Sequence, residues 1–101
     1  MNDILWFPIV TTIEDELGQK EEIATFSRQV FCRKKSIPQS EFFQAGQSGI
    51  KASCILIVHY LDYQEETKVK YGNKTYSIYR IYERDDEKIE LYCEVKASDR
   101  Y

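Results

Sequence analysis

The sequence has few of the residues on which enzymes depend for catalysis. Its one histidine, His59, would have to serve any Ser-His-Asp or Cys-His arrangement, and no nucleophile motif lies near it. We expect His59 to end a strand and to make one hydrogen bond there. Residues 46–49 have neither the lysine nor the strand-to-helix context of a phosphate-binding loop. The sequence therefore predicts a protein that is not an enzyme and that binds no cofactor.

Cysteine is also scarce. The three cysteines, Cys32, Cys54 and Cys93, cannot all pair with one another, and no C-x-x-C arrangement is present. Each lies in an apolar alternation, where cysteine behaves as a small buried hydrophobe. Free thiols in a reducing compartment are the simplest interpretation. We expect no metal site, because His59 is the only nitrogen ligand that could join them.

Excess positive charge and long apolar runs are missing as well. The formal net charge is -3, so no global basic field draws the protein to nucleic acid or to an anionic membrane. No apolar run approaches the roughly 20 residues that cross a bilayer, and the N-terminus lacks the pattern of a secretory signal. We expect a soluble intracellular protein with no membrane contact. Its 101 residues suit a single domain, residues 1–101, with one core.

Alternation of period two is what the sequence has in abundance. Residues 71–95 predict two long strands with an acidic turn at residues 85–87, which lacks the spaced oxygen ligands and glycine of a calcium loop. In the second strand we expect one buried and one solvated face. The buried face comprises Ile89, Leu91, Cys93 and Val95, and the solvated face comprises Lys88, Glu90, Tyr92, Glu94 and Lys96.

Four further strands are predicted ahead of this pair. We expect the first near residues 9–14, with Pro8 marking an edge, a bulge or the point before the strand starts. The second covers residues 22–34 and follows a turn at residues 17–19. The third, residues 50–60, is apolar on both sides and is expected to be buried on both faces. A fourth, near residues 67–71, joins the fifth through a Gly-Asn hairpin turn.

One short helix interrupts the strands. Residues 40–45 suit a helix that Gly46 and Gly49 stop. Because Phe42 and Phe43 are adjacent, they cannot both face one core, and we expect one to pack inward and the other onto a neighbour or a loop. The predicted fold is mainly β: a small antiparallel β-barrel or sandwich of about six strands, with one short helix inserted between strands two and three.

Two groups of residues are candidates for contacts with partners. Arg33, Lys34 and Lys35 form a basic cluster, for which a solvated strand end is a better explanation than a phosphate contact. The second group is rich in aromatic residues. Its tyrosines are equally typical of cross-strand packing and of a protein interface, and both interpretations stay open. They are Tyr71, Tyr76, Tyr79, Tyr82 and Tyr92.

The order and spacing of several motifs resemble those of phage head closure proteins, also called head-tail joining or head-tail adaptor proteins, of long-tailed phages and prophages. The resemblance covers about four fifths of the chain. Its motifs are Val30 and Phe31, Ser36, Glu41 with Phe42 and Phe43, Gly49, the apolar strand 50–60, the YGNKTYSI hairpin at 71–78, and the ending at 79–94.

The resemblance implies a virion structural protein of the head-tail connector. Such a protein forms a homo-oligomeric ring below the portal and its adaptor, closes the DNA exit channel and docks the tail. Its partners are the portal, adaptor and tail proteins, and DNA passes through the ring without sequence-specific binding. It is located at the head-tail interface of the virion, and in the host cytoplasm during assembly.

The resemblance also implies site residues, by position. In such proteins a loop near the helix reaches into the channel, and residues 36–49 are its counterpart here. The residues assigned to the channel loop or to ring contacts are Ser36, Glu41, Phe42, Phe43, Gly46 and Gly49. The residues assigned to a further interface are Arg33, Lys34, Tyr79 and Tyr82.

Two alternative functions stay open at this point. The chain is also compatible with a small β-barrel module that binds single-stranded nucleic acid, with Tyr71, Tyr76, Tyr79 or Tyr82 as stacking platforms. The other alternative is a tail-terminator or tail-completion protein, which differs in its partner.

Overall fold

Six antiparallel strands and one α-helix make up the computed structural model, which describes residues 3–95. The strands are β1 (Asp3–Glu14), β2 (Lys20–Lys35), β3 (Ala52–His59), β4 (Lys68–Tyr71), β5 (Lys74–Glu83) and β6 (Lys88–Glu94). Helix α1 covers Gln39–Gln47 between β2 and β3, and a short 3-10 turn covers Tyr60–Asp62. The strands close into a barrel in the order β1-β2-β3-β6-β5-β4. The predicted fold is confirmed, as a barrel rather than a sandwich.

The barrel closes between its first and fourth strands. Leu5 and Trp6 of β1 pair with Tyr71 and Lys70 of β4. The predicted hairpin turn follows β4 at once, and its Gly72 has a φ of +56°, a value that favours glycine. The acidic turn between β5 and β6 lies where the sequence predicts it.

One apolar core fills the barrel interior, because the strands alternate side chains between its inside and outside. All three cysteines are free thiols buried in it, as predicted. The buried members of this core are Leu5, Phe7, Val30, Cys32, Cys54, Leu56, Val58, Val69, Tyr76, Ile89, Leu91 and Cys93.

A second, smaller cluster lies on the outside of the barrel. Ile55, Ile57 and Tyr92 are buried there, and Ile37 and Tyr79 pack against them. This cover explains why β3 is buried on both faces, as predicted. It also shows that the prediction of a solvated face for β6 is wrong.

Every residue of β6 after its first is buried. Glu90, Tyr92 and Glu94 lie on the face that was expected to be solvated, yet all three are buried. Val95, assigned to the buried face, is exposed. Lys96, the last residue of the predicted solvated face, lies outside the described residues.

The first two strands are longer than predicted. β1 begins at Asp3 instead of residue 9, and the ladder shifts register between Phe7 and Pro8, so Pro8 marks a bulge. Beyond this bulge the two strands continue as a two-stranded hairpin, residues 8–26, which we call the arm. The turn of the arm is held by the Asp15 carboxylate, which accepts hydrogen bonds from the backbone N–H groups of Leu17 and Gln19.

Helix α1 differs from the prediction in two respects. Gly46 lies inside the helix instead of stopping it, and Gly49, with a φ of +79°, follows its end. Phe42 and Phe43 are both exposed, at 47% and 60%, so the expectation that one packs inward is wrong. The reason is that Ala45 is the buried residue of this helix, and the two rings contact each other edge to face instead.

Candidate functional site

Helix α1 is fixed to the barrel through Glu41. The carboxylate accepts a hydrogen bond from the Tyr79 hydroxyl at 3.0 Å and forms an ion pair with Arg80, both on β5. The Arg80 guanidinium lies over the Tyr92 ring, 4.0 Å from its centroid. Glu41, which the resemblance assigns to the channel loop or ring contacts, therefore has an anchoring role within the chain.

The anchor continues along the outside of β6. The Tyr92 hydroxyl donates to Oε1 of Glu90 at 3.0 Å, and its ring meets that of Tyr79 edge to face. Burial raises the pKa of Tyr79, and the hydrogen bond to Glu41 raises it further, because a phenol must stay protonated to donate. Burial and the Glu90 hydrogen bond raise the pKa of Tyr92 in the same way. This network holds α1 in one orientation.

The opposite side of α1 presents apolar side chains to solvent. Glu41 and Ala45 are four residues apart and share the side that faces the barrel. Phe42, Phe43 and Gly46 are related by spacings of three and four and share the other side. A side chain added at Gly46 would meet nothing within 4 Å. The structure thus brings three of the assigned site residues together on one exposed face.

Ser36 and Gly49, the two ends of the assigned segment, flank the helix. Ser36 is exposed just before it, and Gly49 follows it with open space around its Cα. The backbone N–H of Ile50 then bonds to the Ala45 carbonyl, so the chain turns directly into β3. Most of the segment is thus the helix Gln39–Gln47, which Glu41 anchors to the barrel, instead of a free loop.

The basic cluster lies at the end of β2, next to this segment. Arg33, Lys34 and Lys35 pair with Ile57, Leu56 and Ile55 of β3 and are all exposed. Their exposure is consistent with a solvated strand end, and their role in contacts with partners stays a prediction. Phe31 precedes them on β2 and is 63% exposed. Together Phe31, Arg33, Lys34 and Lys35 form what we call the strand-end surface.

The residues considered for catalysis or metal binding are a histidine at a strand end and three buried cysteines. His59 ends β3, as predicted, and its Nδ1 accepts a hydrogen bond from the Leu61 backbone N–H at 3.3 Å. Burial raises the pKa of the Cys32 thiol to about 12, so this thiol is protonated at neutral pH. Within residues 3–95 no group of three or more His, Cys, Asp or Glu side chains could hold a metal ion. Over the same span no helix has the length and apolar character needed to cross a membrane.

The tyrosines have separate positions. Tyr76 is buried in the barrel core, and the Tyr71 hydroxyl donates to Asp3 at 2.9 Å. Tyr79 is engaged with Glu41, whereas Tyr82 is exposed. These four tyrosines form no continuous platform for stacking bases, and among them only Tyr82 is exposed as a surface contact would be.

Sequence reasoning missed the arm. Its isoleucines are exposed, with Ile9, Ile13 and Ile23 at 46%, 48% and 41%. A signal for the arm was present in the β-branched residues that flank the turn at residues 15–19. The alternation did not reveal how the arm is paired. Within the described residues, no third strand pairs with residues 9–25.

Comparison with known proteins extends these observations. The family model described as phage head completion protein matches residues 7–98. No curated protein matches the chain. The matched span includes the arm, α1 and all the barrel strands except the start of β1. Because the match covers nearly the whole sequence, the chain belongs to the phage head completion protein family.

Proposed function

We propose that this protein forms a homo-oligomeric ring at the head-tail connector, where it closes the DNA exit channel and provides a docking surface for the tail. As a phage head completion protein it has a structural role in virion assembly, and it interacts with other phage head or tail proteins. The ring, the closure of the channel and the contact with portal, adaptor and tail proteins are the proposal.

The exposed face of α1 is the observation that carries the proposal. Phe42 and Phe43 are adjacent, exposed and held outward by an anchored helix. Exposed aromatic residues on a rigid element are typical of protein interfaces. We assign this face, with Gly46 where the backbone can approach closely, to ring contacts or to the lining of the channel. The flanking Ser36 and Gly49 belong to the same segment.

The charge of the chain suits a channel through which DNA moves. Phosphate binding strengthens with each Lys or Arg contact, and a net charge of -3 provides no general attraction for DNA. DNA would therefore slide through the ring without sequence-specific binding. We treat the chain as one domain, residues 1–101, made in the host cytoplasm and then incorporated into the virion.

Base stacking by the tyrosines has little support. Of the four candidates, Tyr76 is buried, and the hydroxyls of Tyr71 and Tyr79 are bonded to Asp3 and Glu41. A role as a tail terminator or tail-completion protein differs only in the partner that the ring binds. The experiment below separates it from head closure, because it begins from heads without tails.

DNA-filled heads that carry the portal connector but lack this chain provide the test. Adding the purified protein is expected to place a ring on the connector in electron micrographs and to protect the packaged DNA from nuclease. The double variant Phe42→Ser, Phe43→Ser is expected to require about tenfold more protein for the same protection. Heads that bind no added protein, or that leak DNA despite binding it, would overturn the proposal.

Leu61→Ser is the matched control for this variant. Leu61 is 67% exposed and follows the far end of β3, whereas α1 precedes its near end. The substitution removes a similar apolar surface elsewhere on the barrel. We expect its protection curve to match that of the wild type.

A further inference from the structure

The arm extends well beyond the barrel core. Past the bulge, Pro8 to Glu14 of β1 pair with Phe26 to Lys20 of β2, whereas the closing ladder to β4 uses only Leu5 and Trp6. The molecule measures 52 Å along its longest axis. The 16 residues of β2 account for this length, because a strand rises by about 3.3 Å per residue.

One face of the arm is apolar and uncovered. The ladder pairs Ile9 with Thr25, Thr11 with Ile23, and Ile13 with Glu21, so the three isoleucines share a face. We call it the isoleucine face. A two-stranded hairpin is only marginally stable by itself in water, and β-branched side chains on its surface gain stability when another surface covers them.

The two ends of β2 carry opposite charges. Around the turn of the arm are five carboxylates and one lysine: Glu14, Asp15, Glu16, Glu21, Glu22 and Lys20. The other end of β2 carries the strand-end surface, on which Phe31, Arg33 and Lys35 alternate onto one side. Each end therefore combines exposed apolar side chains with charge, and the signs are complementary.

These two surfaces cannot meet within one molecule. Residues 22 and 33 are eleven positions apart on one extended strand, which separates them by about 36 Å. Two complementary surfaces at opposite ends of one strand can contact each other only between two copies of the chain. Charge complementarity therefore favours a second copy of this chain as the occupant.

We propose that the arm of one copy docks on the strand-end surface of the next copy, with the isoleucine face against Phe31 and the acidic turn beside Arg33, Lys34 and Lys35. The contact is heterologous, because it joins two different surfaces. Repetition of such a contact produces a ring when the rotation closes and a helical filament when it does not. The inference rests on the proposed ring and identifies the contact that builds it.

A mixing experiment distinguishes this contact from other modes of association. The arm variant Ile13→Ser, Ile23→Ser keeps a normal strand-end surface, and the variant Phe31→Ser, Arg33→Ser keeps a normal arm. All four positions are exposed, so both variants are expected to fold with unchanged circular dichroism. In sedimentation velocity at low ionic strength, each alone is expected to self-associate about tenfold more weakly than the wild type.

An equimolar mixture of the two variants contains one intact contact per pair. It is expected to form a dimer and no larger species, whereas the wild type grows into larger assemblies. Added salt weakens both, because the charges are exposed. A mixture that remains monomeric, or an arm variant that associates like the wild type, would overturn the proposal.

If the wild-type chain stays monomeric in solution, the wild type and both variants are tested on the tailless DNA-filled heads. Loss of ring formation in both variants separately supports the contact. Loss in the arm variant alone overturns it, because the arm then binds another connector protein. Rings that form equally well with both variants also overturn it, yet leave head closure standing. Heads that do not recruit even the wild type count against the proposed function itself.

Discussion

Glu41 illustrates how one residue can have a role different from that of its neighbours in the sequence. It directly precedes the two exposed phenylalanines, and the resemblance groups all three as one contact site. In the structure its carboxylate is turned to β5, where Tyr79 and Arg80 hold it. A helical register separates adjacent residues by about 100°, so Glu41 can fix the helix while Phe42 and Phe43 face outward.

Removal of the Tyr79 hydroxyl is expected to weaken this anchor. In Tyr79→Phe the Glu41 carboxylate loses a hydrogen bond but keeps Arg80, so the free energy of unfolding is expected to fall by about 1 kcal/mol. Urea denaturation at neutral pH measures the change. Tyr82→Phe, an exposed position on the same strand, is the control and is expected to change stability by less than about 0.5 kcal/mol. Equal losses in the two variants would contradict the anchoring role.

The same hydrogen bond predicts how stability depends on pH. The pKa of Tyr79 is raised in the folded protein above the value of about 10 that tyrosine has when unfolded. Folded protein thus holds this proton more tightly, and the stabilisation is complete below about pH 10 and is lost as the pH rises toward the folded-state pKa. The stability difference between wild type and Tyr79→Phe is therefore expected to shrink above about pH 10. A constant difference between the two proteins across this range would refute the prediction.

At the scale of the element, the two glycines around α1 have different backbone requirements. Gly46 lies within the helix, where alanine is favoured by about 0.5–1 kcal/mol, and nothing lies within 4 Å of an added Cβ. Gly49 has a φ of +79°, where any side chain is strained by about 1–2 kcal/mol. Gly46→Ala is expected to raise the free energy of unfolding, and Gly49→Ala to lower it. Thermal denaturation measures both changes, and effects of the same sign would contradict these two predictions.

Strands and turns that depend on local sequence patterns could be predicted, whereas the residues that pack over those strands could not. The hairpin after Tyr71 follows from a Gly-Asn turn between alternating strands, and both strands form as expected. The buried outer face of β6 could not be predicted, because Ile37, which helps to cover it, is distant in sequence. Similarly, alternation indicates a strand in residues 9–14 but does not reveal that the arm lies beyond the barrel.

For the candidate site too, the sequence could predict neighbours within one helical turn but not contacts with distant strands. Phe42, Phe43 and Gly46, which are close in sequence, do share one face, because one helical turn brings them together, and their role as a contact site stays a prediction. The resemblance also grouped Glu41 with them, although the side chain points the other way. The partner of Glu41 is on β5, nearly forty residues later, and only the closed barrel brings the two together.

At the scale of the whole molecule, the barrel and the arm make different contributions to stability. The core residues of both clusters lie outside residues 9–25, and the arm adds exposed side chains to the molecule. Folding free energy arises chiefly from apolar burial, so the barrel supplies most of it. We therefore expect changes in the arm to have little effect on the fold, which would leave the arm free for the proposed role in assembly.

Replacing the arm by a short turn tests this division. Pro8 and Phe26 are paired across the ladder, so an Asn-Gly turn can join them in place of residues 9–25. The shortened protein is expected to unfold cooperatively, within about 1 kcal/mol of the wild type, because its core is intact. Leu56→Ala, which removes a fully buried side chain from the full-length protein, is the contrasting variant and is expected to cost about 2–5 kcal/mol.

Ring formation on heads is expected to respond in the opposite order: lost in the stable armless protein, and retained by Leu56→Ala below its unfolding temperature. An armless protein that is unfolded would mean that the arm is part of the folding unit. A folded armless protein that still forms rings would overturn the role of the arm in assembly.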